Sequence, residues 1–291
     1  MFWEMIKTII LGIVEGITEW LPISSTGHLI LVENFLKLDQ PKKFTDMYDV
    51  VIQLGAIMAV VVIFWKKLWP FGKKNNSRPL NKSPFGQMIK TDIFIMWFKV
   101  LAACIPAAII GLLFDDWIDN HLRKFWIIAI ALIVFGVAFI IIENWNKNHK
   151  PIVTDISQLT YKAAFIIGVF QLIAALFPGT SRSGATIVGA LLIGIARPVA
   201  AEFTFYLAVP TMFGASLLKI VKYATDDEGG FTSPQICILL VGMIVAFVVS
   251  VIVIKFLMDY IKKHDFKVFG WYRIALGILV IAYFGIKAMV K

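Results

Sequence analysis

The sequence predicts an all-α polytopic membrane protein, with six transmembrane helices plus two re-entrant helical hairpins in an inverted-topology repeat. Three observations carry that prediction. The 291-residue chain is 59% hydrophobic and 16% charged, with a mean hydropathy of +0.81, which no ordinary soluble domain matches. Several of its apolar segments are long enough to cross a bilayer. Two short, polar, helix-breaking motifs also recur in corresponding halves, a pattern that points to a membrane-embedded site.

The spans fall at roughly 48–65, 93–113, 125–142, 202–219, 236–255 and 271–287. Phe125 to Ile142 and Ile236 to Ile254 hold no charge, and Ile93 to Phe114 holds only Lys99 and a kinking Pro106. The last span is the shortest, and Trp271 and Tyr272 extend it toward the interface. The start of the chain does not read as a signal peptide. Its apolar stretch Ile9 to Val14 is short, Glu4 precedes it, and Glu15 and Glu19 follow. Cys104 and Cys237 lie inside spans as small apolar residues, without disulfide or zinc-ligand spacing. The net charge of +9 comes from basic residues in loops beside the spans. That pattern fits the positive-inside bias and attraction to anionic lipid, and argues against nucleic acid.

Loop charge orients the chain. The segment from Lys66 to Lys90 contains Lys66, Lys67, Lys73, Lys74, Arg78, Lys82 and Lys90 and no acid, so it is expected in the cytoplasm. Loops 143–162 and 255–270 then fall inside as well, whereas 114–124 (Asp115, Asp116, Asp119) and 220–234 (Asp226, Asp227, Glu228) fall outside. The three inner loops carry fourteen Lys and Arg, against three in the two outer ones. Each half, 1–145 and 146–291, is one re-entrant hairpin followed by three spans within one integral membrane domain. Three crossings invert the second half. The first hairpin therefore enters from outside and the second from the cytoplasm, with tips meeting near the midplane, where irregular backbone must be buried or line a wet cavity.

The first motif runs Gly12-Ile-Val-Glu15-Gly-Ile-Thr-Glu19-Trp-Leu-Pro22-Ile-Ser24-Ser25-Thr26-Gly27-His28. The second runs Gly168-Val-Phe-Gln171-Leu-Ile-Ala-Ala175-Leu-Phe-Pro178-Gly179-Thr180-Ser181-Arg182-Ser183-Gly184-Ala185-Thr186. A shift of 156 positions sets Gly12 on Gly168, Glu15 on Gln171, Pro22 on Pro178 and Ser25 on Ser181. Glu15 and Glu19, spaced i, i+4, share a helix face. Repelling carboxylates held there need a cation, a shared proton or an arginine partner. A merely solvated helix end is the competing reading, which the hydroxyls, glycine and imidazole that follow disfavour. In the second motif, Thr180 to Thr186 offers hydroxyls, small residues, free helix-start amides and one guanidinium, the makings of an anion cradle. The bland alternative has Arg182 neutralising buried carboxylates, and the two roles are compatible. His28, three residues after Ser25, is positioned to be an acid, a base or a phosphate donor. Lys99 reads as snorkelling or paired, and Arg197 and Glu202 as a pair at the start of the fourth span.

Taken together, E-G-x-T-E-x-x-P-I-S-S-T-G-H and P-G-x-S-R-S-x-x-T resemble the two signature motifs of the bacterial undecaprenyl-diphosphate phosphatase family, associated with bacitracin resistance. The resemblance extends over essentially the whole chain. It implies a hydrolase of the bacterial cytoplasmic membrane that removes the terminal phosphate of undecaprenyl diphosphate. The monophosphate carrier is thereby recycled for peptidoglycan synthesis. It further implies an active site open to the outside and dependence on a divalent cation, Mg²⁺ or Ca²⁺. Carried over position by position, Arg182 clamps the diphosphate, helped by Ser24, Thr26, Gly179, Thr180, Ser181, Ser183 and Thr186. Glu15 and Glu19 hold the metal, or one of them acts as base. Ser25 is the candidate nucleophile, with His28 as acid/base or alternative nucleophile, and direct attack by water stays open. The expected partners are the polyprenyl diphosphate and membrane lipids, with self-association left open. A polyprenyl-phosphate flippase or transporter is the alternative, because inverted repeats with broken helices are also transporter architecture.

Overall fold

A computed structural model describes residues 2–73, 76–225 and 230–289. Those residues are almost wholly helical, and three isolated bridges are the only β pairing among them. Six helices are long and apolar enough to cross a membrane: Lys42–Ile63, Thr91–Gly111, Phe125–Asn146, Arg197–Ala224, Ser233–Tyr260 and Lys267–Lys287. Their outward surfaces are apolar. On Phe125–Asn146, for example, Ile130, Val134, Val137 and Ile141 are exposed at helical spacing, as a lipid-facing stripe requires.

In chain order the helices are α1 (Phe2–Thr18), α2 (Ser25–Val32), α3 (Lys42–Val51), α4 (Gln53–Ile63), α5 (Trp65–Leu68), α6 (Thr91–His121) and α7 (Phe125–Asn146). After these come α8 (Tyr161–Leu176), α9 (Arg182–Leu192), α10 (Arg197–Ala224), α11 (Ser233–Tyr260) and α12 (Lys267–Met289). The expected first span is thus two helices, α3 and α4, in immediate succession. The helix expected to stop at 113 runs on to His121, so the expected loop 114–124 shrinks to a turn before α7. Pro106 lies inside α6 without ending it. Among the charges used to orient the chain, Lys74, Asp226, Asp227 and Glu228 lie outside the described residues, as do the side chains of Asp115, Asp116 and Asp119.

Close helix packing sets the frame. α1 runs alongside α11, with Gly12 against Gly242 and Gly16 against Ala246 and Val249. α8 runs alongside α6, Tyr161 beside Lys99 and Gly168 beside Ala103. A Cβ on Gly168 would stand 2.3 Å from the Ala103 carbonyl oxygen, so only glycine permits this approach. α7 packs along α12, and α10 packs against α3, α4, α6 and α9. The largest core cluster centres on α10, where Phe203, Phe205 and Tyr206 are buried and the Trp20 ring meets Phe205 edge-on at 5.2 Å.

One expected pairing is replaced by two others. Arg197 does not pair with Glu202. Its Nε donates to the fully buried Glu143 of α7 at 2.9 Å, and the Phe266 amide donates to the same carboxylate at 3.0 Å. Glu202 accepts instead from Lys67 at 2.8 Å and from the Tyr206 hydroxyl. The reason is rotational: on α10, Arg197 faces α7 while Glu202, five positions on, faces α5.

Candidate active site

Both motifs fold into a helix, a turn and a second helix, and the two turns meet. α2 and α9 begin in the same unusual way. Ser24 (φ 75) and Ser181 (φ 68) are the only non-glycine residues with positive φ among those described. Each caps its helix, Ser24 Oγ accepting from Gly27 N and Ser181 Oγ from Gly184 N, both at 3.2 Å. Such caps satisfy helix-start amides that would otherwise be orphaned in a dry interior. The correspondence at the turns therefore pairs Ser24 with Ser181, not Ser25. The 156-residue shift holds along the leading helices, and one extra residue enters after the proline of the second motif. Ser25 then corresponds to Arg182, each the first residue of its helix.

Those two residues converge on one carboxylate. Arg182 Nη2 donates to Glu19 Oε1 at 2.9 Å, and Ser25 Oγ donates to Glu19 Oε2 at 2.9 Å. Ser183 Oγ holds the Glu19 carbonyl at 3.1 Å. The Arg182 guanidinium also donates to the Thr204 carbonyl at 3.0 Å and lies 5.9 Å from the Trp20 ring centroid. Its Nε is buried without a partner. One turn before Glu19 sits Glu15, fully buried, with neither carboxylate oxygen hydrogen-bonded. Desolvating an acid with no partner is expensive, so Glu15 is a side chain awaiting a proton or a cation.

A cavity of about 590 Å³ opens in front of Glu19, with the buried Glu15 behind its surface. Glu19, Ser25, Thr26, Gly179, Ser181 and Arg182 form its polar end, with Gln171 and Thr211 beside them. Its remaining walls are mostly apolar, from Leu101, Cys104, Ala107 and Ala108 of α6, Ala174 and Ala175 of α8, and Ala215 and Leu218 of α10, with Gln53 and Lys219 as the polar exceptions. A polar head end with an apolar groove is the shape an amphipathic ligand requires.

The other candidates lie elsewhere. Ser24, Thr180, Ser183 and Thr186 are buried behind the cavity surface. Thr186 Oγ1 pairs with Thr204 Oγ1 at 2.9 Å beneath Arg182. His28 turns away: its Nδ1 contacts the Ser24 carbonyl at 2.7 Å, its Nε2 the Tyr272 hydroxyl at 2.7 Å, and its ring stacks on Tyr272. It does not line the cavity. Among the described residues no three His, Cys, Asp or Glu side chains group as a metal cluster, and Glu15 and Glu19 are the neighbouring carboxylates that could hold a cation. That set of hard oxygens suits Mg²⁺, which binds through one or two carboxylates with substrate phosphates and waters completing its shell.

One residue in the site was missed in the sequence. Arg273 of α12 is fully buried and holds both turns at once. It donates to the Pro22 carbonyl at 3.2 Å in the first, and to the Gly179 and Thr180 carbonyls at 3.1 and 2.6 Å in the second. An arginine inside an apolar span was the available signal, obscured by Trp271 and Tyr272, which mark a span end.

Helical spans enclosing a polar centre built from two broken motifs define a polytopic membrane protein with an embedded, arginine- and carboxylate-bearing site. Residues 8–279 match the family described as bacitracin resistance protein BacA. The chain belongs to that family. It is 57% identical over 287 residues to the undecaprenyl-diphosphatase of Desulfitobacterium hafniense, covering 99% of this chain and 98% of the relative. To that of Enterococcus faecalis it is 59% identical over 280 residues, covering 96% and 97%. Undecaprenyl-diphosphatase 1 of Clostridium acetobutylicum is 56% identical over 281 residues, 97% of each chain.

Proposed function

We propose that the protein hydrolyses undecaprenyl diphosphate to undecaprenyl phosphate and phosphate, returning the lipid carrier to peptidoglycan synthesis and conferring bacitracin resistance. Near-full-length identity to several undecaprenyl-diphosphatases supports this reading. The observation that carries it in the site is the Ser25–Glu19–Arg182 chain at the polar end of an apolar-walled cavity. The isoprenoid tail lies along the apolar walls, and the diphosphate meets Arg182 and the starts of α2 and α9.

Ser25 is the favoured nucleophile, because its hydroxyl faces the cavity and already donates to a carboxylate. As Ser25 Oγ bonds to the terminal phosphorus, its proton passes to Glu19. The anhydride P–O bond breaks and the lipid monophosphate leaves. Glu19 passes that proton to the departing lipid monophosphate, then takes one from the water that cleaves the phosphoserine P–O bond and returns it to Ser25 Oγ as phosphate leaves. In the resting arrangement Arg182 competes for Glu19. An arriving phosphate draws the guanidinium to itself and frees the Glu19 carboxylate to receive the serine proton. A divalent cation, Mg²⁺ or Ca²⁺, would be held by Glu15 and Glu19 and would neutralise phosphate charge. The unpartnered oxygens of Glu15 support that assignment.

We further read the chain as two inverted halves whose motif hairpins are re-entrant. The parallel run of α1 with α11 and of α8 with α6, together with the matched positive-φ serines, supports this. The first cavity is lined by the C-terminal halves of α6 and α10, away from the basic 66–90 segment. By the positive-inside rule, it faces outward from the cytoplasmic membrane. The deciding experiment is phosphate release from undecaprenyl diphosphate by purified protein in detergent, where no transport is possible. Wild type should release phosphate and Ser25→Ala should not. Absence of release from well-folded wild type would overturn the enzymatic reading.

A further inference from the structure

A second cavity, of about 690 Å³, lies against the N-terminal part of α6 and shares no lining residue with the first. Its cations are Lys66, Lys67, Arg78, Lys90 and Lys99, facing two acids, Asp92 and Asp155. We propose that this cavity binds the phosphate headgroup of an anionic membrane phospholipid.

Lys99 carries the argument. It is only 9% exposed yet lines the cavity, and among the described residues it makes no hydrogen bond or ion pair. Its nearest electrostatic neighbour is the Tyr161 ring, 6.0 Å from Nζ. A buried ammonium with nothing but a ring face beside it is poorly compensated, and an anion entering the cavity removes that deficit. The acids present do not serve it. The Asp155 carboxylate caps its own turn, accepting from the Ser157 amide at 2.9 Å and hydroxyl at 2.6 Å. Those bonds hold its carboxyl below the usual carboxylate range. Asp92 is approached by the Ser77 hydroxyl at 3.4 Å. Lys67 is taken by Glu202, leaving Lys66, Arg78, Lys90 and Lys99 without ion pairs among the described residues.

The surroundings identify a lipid as the source of that anion. Trp65 and Trp69 stack at 4.7 Å on the cavity wall, and Trp97 Nε1 anchors the Leu68 carbonyl at 2.8 Å. Tryptophans of this kind sit at headgroup level, so the basic lining lies where a lipid phosphate resides. The basic 66–90 segment also belongs to the face expected in the cytoplasm, and basic pockets between helices there hold anionic headgroups.

The test uses the full chain in uncharged detergent, with bound lipid counted by native mass spectrometry. The probes are phosphatidylglycerol, phosphatidylcholine and inorganic phosphate. Wild type should retain phosphatidylglycerol and not phosphatidylcholine, and Lys99→Met should cut retention about fivefold, the weight of one cation at an anionic surface. A double variant, Arg78→Gln with Lys90→Gln, should lose more while releasing phosphate from undecaprenyl diphosphate at the wild-type rate. It carries the test if Lys99→Met fails to fold. Equal retention by wild type and the double variant overturns the proposal. Inorganic phosphate displacing phosphatidylglycerol at equal concentration also overturns it, assigning the cavity to free phosphate.

Discussion

Glu19 joins the two motifs through its two oxygens, one toward Arg182 and one toward Ser25. Arg182→Lys keeps the charge but cannot reach Glu19, the Thr204 carbonyl and a phosphate together. Turnover should fall by roughly 10²-fold or more, measured as phosphate release at matched folded yield. Ser25→Ala removes the oxygen that forms the intermediate and should approach the uncatalysed rate. His28→Gln should cost less than the roughly 10²-fold or more of a lost acid/base, because that ring engages Tyr272 rather than the cavity. The reverse ranking would point to histidine attack, testable by trapping phosphohistidine at alkaline pH. Glu15→Gln and Glu19→Gln should both depress turnover, and at least one should raise the metal concentration needed for half activity. These residue types were legible in the sequence because acids, hydroxyls and an arginine stand out in an apolar chain. Their directions were not. Whether His28 or Ser25 faces the cavity depends on the rotation of α2, which one turn of sequence cannot fix.

At the scale of elements, the two turns, each capped by its own serine, are tied to one another by Arg273. Arg273→Met would strand the Pro22, Gly179 and Thr180 carbonyls at roughly 1–3 kcal/mol each, lowering the unfolding temperature along with activity. Arg273→Lys should recover only part of both, since an ammonium cannot span three carbonyls as a guanidinium does. Helix contacts offer a matched comparison. Gly168→Leu must push α8 off α6 and should reduce folded yield, measured by size-exclusion chromatography. Gly285→Leu, at a position with open space around it, should not. The helices themselves were readable from hydropathy to within a few residues at most ends. The extension of α6 was not, because Asp115, Asp116 and Asp119 read as a loop although helix continues through them. The one-residue offset at the second turn was likewise hidden, since Ser24 and Ser25 are chemically identical and only the backbone tells them apart.

For the whole molecule, the two cavities divide the α6–α10 region into an end with Glu19, Ser25 and Arg182 and an end where five cations outnumber two acids. The orientation argued from loop charge can be checked in a chain whose Cys104 and Cys237 are replaced. A cysteine at Lys124 should react with an impermeant thiol reagent in intact cells, and one at Lys82 should not. The opposite pattern would reverse the sidedness of both cavities. The expectation of sidedness needs only a count of lysines outside the membrane, not their positions. The cavities were not legible in the sequence, since each draws on segments from both halves of the chain, far apart in sequence.

The position of Arg273 also has a consequence for biogenesis. The first turn is made early in translation, yet the side chain that satisfies its Pro22 carbonyl lies on α12, 251 residues further along the chain. Until α12 inserts, that turn waits in the bilayer with its acceptor unmet, and the polar centre stays unfinished. A chain truncated after Asp265 should enter the membrane, release no phosphate and be cleared by quality-control proteases. Supplying α12 as a separate segment should restore both lifetime and turnover, whereas the same segment carrying Arg273→Met should not.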